Sequence, residues 1–143
     1  MSVRSMAVRD ARRVADLSGQ LGYPSSEAQI LRRFEAVSAD PASAVFVVED
    51  EQGRLIGWTH VILRAFMESD PFAEIAGLVV DSEARRQGAG RALVDAAEAW
   101  ARERGCATLH VRSNIKRPEA HPFYEGVGFV VIKTQHVYEK VLG

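Results

Sequence analysis

The stretch LVVDSEARRQGAGRALV, residues 78–94, decides the fold expected of this chain. An apolar run ends at Asp81, two arginines follow, and Gly88-Ala89-Gly90 leads into apolar residues at helical spacing. The free N–H groups at a helix start can bind an anion, and glycines let the backbone approach it closely. The stretch therefore predicts either a phosphate cradle or a tight strand-to-helix turn whose arginines are merely solvated.

Two well-known phosphate-binding motifs do not match this stretch. The dinucleotide fingerprint GxGxxG fails because Leu93 stands where a third glycine or alanine belongs. The P-loop pattern GxxxxGK[ST] does not occur in the sequence either. What remains is Arg85-x-x-Gly88-x-Gly90, in which Arg85 and Arg86 would add positive charge at the rim.

Composition indicates an ordinary globular protein. A length of 143 residues predicts a single domain, residues 1–143, with 47% apolar and 26% charged residues. The formal net charge of -1 gives no general attraction to nucleic acid or to an anionic membrane. The single cysteine, Cys106, excludes an intrachain disulfide and favours a reducing, cytoplasmic setting. No segment approaches 18 uninterrupted apolar residues, so no membrane span is expected.

Hydrophobic periodicity predicts the order strand, two helices, three strands, helix, strand, helix, two strands. Two helices fall in residues 8–21 and after the cap Ser25 or Ser26, and the strongest helix falls in residues 88–104. Residues 65–72 are predicted to be an irregular connection. The expected strands are residues 2–7, SAVFVVED, RLIGWTHVILR, AEIAGLVV, ATLHVRS, FVVIKT and HVYEKVL. This order predicts a mixed α/β (α+β) sheet.

Glu74 is the lone acid in the apolar strand AEIAGLVV. A buried carboxylate is costly unless it is paired or functional, so this residue is a candidate for chemistry. Strict alternation would place Glu74, Ala76, Leu78 and Val80 on one face of the strand. The alternatives are that Glu74 lies at a hydrated strand end or pairs with an arginine.

The segment RSNIKRPEAHPFYEGVGF, residues 112–129, carries a second landmark. It places Asn114 after a strand, then a short helix with Tyr124, then Gly-x-Gly-Phe. Together with the Arg85 loop, it resembles the GNAT superfamily of acyl-CoA-dependent N-acetyltransferases over nearly the whole chain. Within that superfamily, RSNIKRPEAHPFY is similar to a branch acting on aminoalkylphosphonates and other small amines. The resemblance implies a central, mixed, mostly antiparallel sheet of six to seven strands flanked by about four helices.

The resemblance also implies a cosubstrate, acetyl-CoA. Its pyrophosphate would lie on the amides of Arg86 to Arg91, and its pantetheine arm would pair with the main chain of Leu78 to Val80. Asn114 matches a position that often hydrogen-bonds the arm. His110 and His136 have no companions at metal-ligand spacing, so the residues themselves predict no metal site. The expected cofactor-binding residues are Leu78, Val79, Val80, Arg85, Arg86, Gln87, Gly88, Ala89, Gly90, Arg91 and Asn114.

Amine acetylation needs a base for the amine and an acid for the departing thiolate. Tyr124 matches the superfamily's acid position, and a tyrosine stays protonated at neutral pH; the alternative is a packed core tyrosine. Glu74 matches a glutamate that serves as base or water-holder. His121 is the other candidate base, because it shares a helix face with Tyr124, although Pro122 restricts the helix start and capping or packing remains its alternative.

The function expected is acetyl transfer from acetyl-CoA to a primary amine of a small molecule, by direct attack within a ternary complex. Two alternatives stay open: acetylation of protein lysines or N-termini, and a non-catalytic acyl-CoA-binding module. Neither nucleic acid nor membrane is expected as a partner. Related proteins are often dimers, so a homodimer is the default expectation.

Overall fold

The computed structural model describes residues 1–113, 115 and 120–143 in two compact units, Met1–Arg112 and Ser113–Gly143. The strands of the first unit are β1 (Ser2–Ser5), β2 (Ser43–Glu49), β3 (Leu55–Phe66), β4 (Ser69–Val80) and β5 (Leu109–Val111). Its helices are α1 (Ala11–Gln20), α2 (Glu27–Ser38) and α3 (Ala89–Glu103), and α4 (His121–Gly126) belongs to the second unit. Every helix in the described part is too short or too polar to cross a lipid bilayer.

The five strands form one mixed sheet in the order β1-β2-β3-β4-β5. Three neighbouring pairs are antiparallel, and β4 pairs with β5 in parallel. Parallel neighbours need a long crossover, and α3 supplies it between β4 and β5. The expected class, a mixed and mostly antiparallel sheet with about four helices, is confirmed, but the described residues contain five strands instead of six to seven.

The two closing strands expected in FVVIKT and HVYEKVL are absent from the structure. Residues 129–143 are described and belong to no strand. Apart from Phe129, which is half-buried beside Tyr124, their large apolar side chains are open to solvent; Val137 and Tyr138, for example, are 87% and 90% exposed. Alternating apolar residues become a strand only when a neighbouring backbone pairs with them, and no described strand pairs with this segment.

The connection between β3 and β4 also differs from expectation. Residues 65–72 were expected to be irregular, yet β3 runs to Phe66 and β4 begins at Ser69, so the two form a hairpin. Pro71 lies within β4, beside a register irregularity between Arg64 and Phe66. Proline cannot donate to the ladder and is tolerated in a strand at such irregularities, which is why its presence did not end the strand.

The sheet buries a different apolar cluster on each face. On one face, Val14 and Leu17 of α1 pack with Val47 and Val79. On the other face, Leu93 of α3 packs with a second group that includes Val48, Ile56 and Ala89. The helical spacing that predicted α3 is confirmed, because its buried residues are Ala89, Leu93, Val94, Ala97, Trp100 and Ala101.

The helix ends follow signals present in the sequence. Ser26 caps α2, where its hydroxyl accepts from the Gln29 N–H at 3.1 Å and the Gln29 side chain accepts from the Ser26 N–H at 2.9 Å. Gly105 ends α3 with a left-handed φ of 75°, and the Cys106 N–H donates to the Ala101 carbonyl at 3.0 Å. This closure satisfies carbonyls that the last turn of a helix otherwise leaves open.

Asp81 fastens the end of β4 to α1. Its buried carboxylate accepts from Arg13 Nη2 at 2.6 Å and from Gln20 Nε2 at 3.3 Å, both on α1, and from the Glu83 N–H at 3.1 Å. Burial alone would raise the pKa of Asp81, but the hydrogen bonds from Glu83, Gln20 and Arg13 together hold it below its ordinary value. Arg13 also donates to the Leu55 carbonyl at 2.9 Å, so one guanidinium joins helix, β3 and β4.

Replacing Asp81 should therefore remove a pH-dependent part of the stability. The lowered pKa means that Asp81 stabilises the fold above its ordinary pKa of 3.8 and loses this effect as the pH falls through the lower folded value. We expect Asp81→Asn to lower the free energy of unfolding by about 2 kcal/mol at neutral pH. In urea titrations, the difference from wild type should shrink below the ordinary pKa.

The matched control is Asp16→Asn, which changes an exposed carboxylate on the same helix. This variant should follow the wild type within about 0.5 kcal/mol at neutral pH. An Asp81→Asn deficit that stayed constant across the acid range would contradict the ionic role assigned to Asp81.

Candidate active site

Strand β4 has an open backbone edge beyond its short pairing with β5. The parallel pairing joins Ala73, Glu74 and Ile75 of β4 to Leu109, His110 and Val111 of β5. β4 continues to Val80, and among the described residues no strand pairs with Ala76 to Val80 on that side. Leu78, Val79 and Val80 lie in this open stretch, which makes their main-chain groups available to a ligand that can pair as a strand does.

A β-bulge marks the start of the open edge. His60 of β3 lies opposite Gly77, and the next residue, Val61, lies opposite Ile75, so Ala76 has no partner across the ladder. The extra residue exchanges the faces of the side chains beyond it. The expectation that Glu74, Ala76, Leu78 and Val80 share a face is therefore wrong.

The consequence is visible in the packing on the two faces. Val79 packs in the apolar cluster of α1, while Leu78 and Val80 pack in the cluster of α3. Trp58 and Ile62 share one face of β3, because they are an even number of positions apart. Trp58 lies opposite Val79, and Ile62 lies opposite Glu74. Because residues directly opposite each other share a face, Glu74 lies on the α1 face and not on the face of Leu78 and Val80.

The Arg85 loop forms a concave turn at the start of α3. Arg86 and Gly88 both have left-handed backbones, with φ of 69° and 86°, on either side of Gln87. The Ala92 N–H donates to the Gly88 carbonyl at 3.0 Å, but the N–H groups of Ala89, Gly90 and Arg91 find no acceptor among the described residues. Alternating backbone conformations with free N–H groups produce an anion-binding concavity, and the helix dipole adds to its positive potential.

The arginine side chains of this loop are exposed and carry no ion pair to any described residue. Arg85, Arg86 and Arg91 thus differ from Arg4 and Arg13, whose guanidinium groups bind Asp10 and Asp81. A left-handed backbone is unfavourable for a residue with a Cβ, so Arg86 holds an uncommon conformation at the centre of the turn. The loop therefore presents unneutralised positive charge next to free amides, as a pyrophosphate site requires.

Glu74 is buried and held between two arginines. Its Oε2 accepts from Arg64 Nε at 3.1 Å and lies 3.0 Å from Arg64 Nη2. Its Oε1 accepts from Arg112 Nε at 2.8 Å. Of the arrangements considered for Glu74, the structure contains the pairing with arginine, and it contains two such pairs.

Arg64 and Arg112 did not emerge from the sequence as site residues. A signal was present, since Arg64 follows Ile62 at strand spacing and Arg112 follows His110 in the same way. Two aromatic contacts accompany them: the rings of Phe72 and His110 stack with centroids 3.9 Å apart, and the Arg64 guanidinium lies 5.9 Å from the Phe66 ring centroid. His110 is thus a ring partner of Phe72.

The candidate acid and one candidate base lie on α4 in the second unit. His121 is the first residue of this six-residue helix, and Tyr124 contacts Phe123 and Phe129 edge-on, with ring centroids 5.3 and 5.9 Å away. Burial raises the pKa of the Tyr124 hydroxyl, so the side chain keeps its proton over a wider pH range. Asn114 lies outside the described residues. Within the described residues, no group of three or more His, Cys, Asp or Glu could hold a metal ion.

Comparison with known proteins assigns the family. The family described as Acetyltransferase (GNAT) matches residues 9–129, which is most of the chain. A curated relative, aminoglycoside N(6')-acetyltransferase type 1 of Stenotrophomonas maltophilia, is 30% identical over 132 residues, covering 90% of this chain and 85% of the relative. The sequence match therefore extends far beyond the Arg85 loop.

Solved structures agree at the level of the fold. An aminoglycoside 6'-N-acetyltransferase from Acinetobacter haemolyticus superposes with a TM-score of 0.87 at 18% identity, covering 100% of both chains. Another aminoglycoside N-acetyltransferase, solved in complex with CoA, superposes with a TM-score of 0.87 at 20% identity, covering 97% of this chain and 93% of its own. The family match and the curated relative make this chain an enzyme that uses acetyl-CoA to acetylate an amine, and it belongs to the acetyltransferase (GNAT) family.

Proposed function

We propose that this enzyme transfers the acetyl group of acetyl-CoA directly to a primary amine of a small molecule within a ternary complex. The observation that carries the proposal is the open edge of β4, which leads straight into the cradle of free amides at the start of α3. The relatives add support for the acceptor, since curated relatives from three bacteria are named as aminoglycoside acetyltransferases. Residues 1–143 would act as one acetyltransferase domain.

The cradle and the open edge fit the two ends of the donor. The free amides from Ala89 to Arg91 suit a pyrophosphate, and Arg85 and Arg86 supply charge at the rim. Leu78 to Val80 offer main-chain groups to an extended arm that carries amides of its own. Asn114 completes the proposed set as a hydrogen-bonding partner of the arm.

Bound acetyl-CoA would supply an activated thioester at the inner end of β4. Free N–H groups on the open edge can stabilise negative charge that develops on its carbonyl oxygen. Tyr124 would donate a proton to the departing sulfur. The raised pKa of Tyr124 keeps this donor protonated at neutral pH.

The contacts of the two candidate bases favour His121 over Glu74. Both carboxylate oxygens of Glu74 are engaged by Arg64 and Arg112, which leaves Glu74 poorly placed to bind an amine or its water. The imidazole of His121 makes no hydrogen bond or ion pair with a described residue, so its ring nitrogens remain available to an amine or to a bridging water. We therefore assign the role of base to His121. Glu74 would fix the side chains of Arg64 and Arg112 in place.

Acetyl transfer and the role of Tyr124 can be tested together. Thiol release from acetyl-CoA would be followed with polyamines, amino acids, aminoalkylphosphonates, aminoglycosides and a lysine peptide, comparing wild type with Tyr124→Phe. We expect release with a small amine and a fall in kcat of about 100-fold or more in Tyr124→Phe, because the variant has no proton to donate. Acetyl-CoA affinity, measured by calorimetry, should be unchanged.

Tyr138→Phe is the matched control, because it removes a hydroxyl from an exposed tyrosine of the same unit. It should keep the wild-type rate. Equal kcat values in wild type and Tyr124→Phe would remove Tyr124 from the mechanism. Release with the lysine peptide alone would replace the small-molecule acceptor by a protein.

The cradle can be tested through its left-handed glycine. A Cβ at Gly88 meets no atom within 4 Å, so Gly88→Ala would change the backbone of the turn without a clash. We expect it to weaken acetyl-CoA binding by about tenfold or more, since the amides would leave the left-handed geometry that directs them inward. Affinity would be measured by calorimetry and stability by urea titration.

Gly53→Ala is the control for Gly88→Ala. Gly53 has nearly the same backbone, with φ of 78° against 86°, equally open space for a Cβ, and lies in the turn between β2 and β3. Both variants should lose about 1 kcal/mol of stability. If acetyl-CoA affinity falls equally in both, the loss reflects general strain and the cradle assignment fails.

We also propose that the enzyme is a homodimer. The supporting observation is the exposed apolar character of residues 129–143, because a stable protein in water covers such a stretch.

Sedimentation equilibrium should give twice the mass of one chain, and Val137→Asp should shift the protein toward the monomer. Val8→Asp, which charges an exposed valine of the first unit, should leave the dimer intact. A monomeric wild type at micromolar concentration would contradict the proposal.

A further inference from the structure

Acylation of an ammonium ion removes two protons from its nitrogen. An alkylamine carries its extra proton at neutral pH, and the amide formed from a primary amine keeps one hydrogen on nitrogen. One of the two protons balances the proton that goes to the departing sulfur, and the other must reach solvent. The roles proposed for Tyr124 and His121 account for the first of these protons, so the second still needs a route.

Three polar side chains lead from the middle of the sheet to the surface. His60 of β3 has its Nε2 atom 3.5 Å from the hydroxyl oxygen of Ser43 on β2. The Ser43 hydroxyl donates to Oδ2 of Asp40 at a distance of 3.3 Å. His60 and Ser43 are half-buried, whereas Asp40 is exposed. Catalytic contacts are often this long before a substrate binds and shorten afterwards, so the three side chains suit a proton relay to water.

The contact with Asp40 fixes the direction of this relay. An ionised carboxylate only accepts hydrogen bonds, so the single hydrogen of the Ser43 hydroxyl belongs to the bond with Asp40. The lone pairs of the Ser43 oxygen then accept from His60, which assigns the hydrogen of the neutral imidazole to Nε2. Nδ1 keeps its lone pair, and each transfer along the relay moves a proton away from the sheet.

His60 lies beside the start of the open edge of β4. It is opposite Gly77, the residue that follows the bulge at Ala76. Two positions further along β3, Ile62 lies opposite Glu74, so His60 and Glu74 lie on the same face of the sheet. Neighbouring strands lie about 5 Å apart, so an acceptor that reaches the donor's reactive end on this face comes within reach of the imidazole.

Trp58 limits the approach to His60 to one side. Its ring carbons Cζ3 and Cη2 would lie 3.0 Å from a Cβ at Gly77, so the ring covers Gly77 on this face. In the other direction along β3, Ile62 is half-buried and the Arg64 side chain is 38% exposed. We therefore expect the acceptor to reach the imidazole from the side of Ile62, at the inner end of the open edge.

The surroundings of His60 keep its imidazole neutral at neutral pH. Burial lowers the pKa of His60, and the charge of Asp40 opposes this shift. Among the residues that face it from the neighbouring strands, Ser43 and Gly77 are uncharged, and Glu74 is bound to two arginines. Helices α1 and α2 contribute apolar side chains to the neighbouring cluster, namely Leu21, Ile30, Leu31 and Phe34. A neutral imidazole is ready to accept a proton.

We propose that His60 takes the first proton from the acceptor ammonium and that Ser43 and Asp40 pass a proton on to solvent. An N–H bond of the ammonium breaks and leaves its electron pair on nitrogen, while the proton bonds to Nδ1 of His60, directly or through one water. The Nε2 proton moves to Ser43, the hydroxyl proton of Ser43 moves to Asp40, and Asp40 releases it to water. Exchange with water returns the imidazole hydrogen to Nε2. The amine then attacks and loses its second proton to His121.

The relay rests on the proposed function, and it is tested with the amine that wild type acetylates fastest among those used for Tyr124→Phe. His60→Gln should lower kcat at neutral pH by about 100-fold or more, because glutamine cannot take up the proton. Ser43→Ala should lower kcat by about tenfold, since a water replaces the hydroxyl only in part. Calorimetry and melting temperatures would confirm that both variants bind acetyl-CoA and fold.

The matched controls are His136→Gln and Ser38→Ala. His136 is an exposed histidine of the second unit, and Ser38 is an exposed serine whose hydroxyl donates to the Glu35 carbonyl. Both variants should keep the wild-type kcat.

Two further measurements separate proton transfer from a structural role. Added imidazole should raise the kcat of His60→Ala by about tenfold or more, because the added base takes the place of the missing side chain. Asp40→Asn removes the carboxylate that raises the pKa of His60, so that pKa should fall further. The acid limb of the kcat/KM profile of Asp40→Asn should therefore lie at lower pH than that of wild type.

Any of three results would overturn the inference while leaving the enzyme an acetyltransferase. These are a kcat of His60→Gln within about twofold of wild type, no rescue of His60→Ala by imidazole, and an unchanged acid limb in Asp40→Asn. Because Asp40 is exposed, the last measurement decides even where a His60 variant does not fold. Failure of the proposed function looks different: no amine would release thiol from acetyl-CoA, and calorimetry would detect no binding of acetyl-CoA to wild type.

Discussion

The need of every backbone N–H and carbonyl group for a partner dominates the architecture of this enzyme. β4 pairs with β3 at both of its ends, interrupted only by the two register irregularities, but β5 covers its other side only from Ala73 to Ile75. The remaining stretch to Val80 keeps its hydrogen-bonding capacity on that side. A protein can leave such an edge open at a position where a ligand takes the place of a strand.

The open edge and the cradle arise from the same topological event. β5 runs parallel to β4, so the chain must leave the end of β4, cross over through α3 and return to the start of the sheet. The first turn of α3 therefore lies at the carboxyl end of β4, where ligands of open α/β sheets bind. One crossover thus generates both the free strand edge and the free helix amides, and it places them next to each other.

Much of the fold could be predicted because its signals are local. Ser26 as a cap, Gly105 as a helix stop and the apolar stripe of α3 each depend on residues within a few positions. The bulge at Ala76 could not be predicted, because it depends on how β3 pairs with β4, and it moved Glu74 to the other face. The prediction of two closing strands was wrong for a similar reason, since an alternating pattern does not specify which strand will pair with it.

The same difference between local and long-range signals applies to the site. The Arg85 loop could be recognised because its motif is contiguous, and its left-handed turn and free amides agree with that interpretation. The cluster of Glu74 with Arg64 and Arg112 joins β4 to β3 and to the residue after β5, and Arg112 lies 38 positions from Glu74 along the chain.

Asp81 and its neighbours link the donor site to a distant part of the chain. Gln20 accepts from the Ser82 N–H at 2.9 Å, and Arg13 holds Asp81, so side chains of α1 hold the turn that leads into the cradle. The opposite, apolar side of α1 packs on the sheet face that carries Glu74. α1 thus connects the packed face of the sheet to the turn that leads into the cradle, so a sequence change that tilted this helix would also displace the cradle.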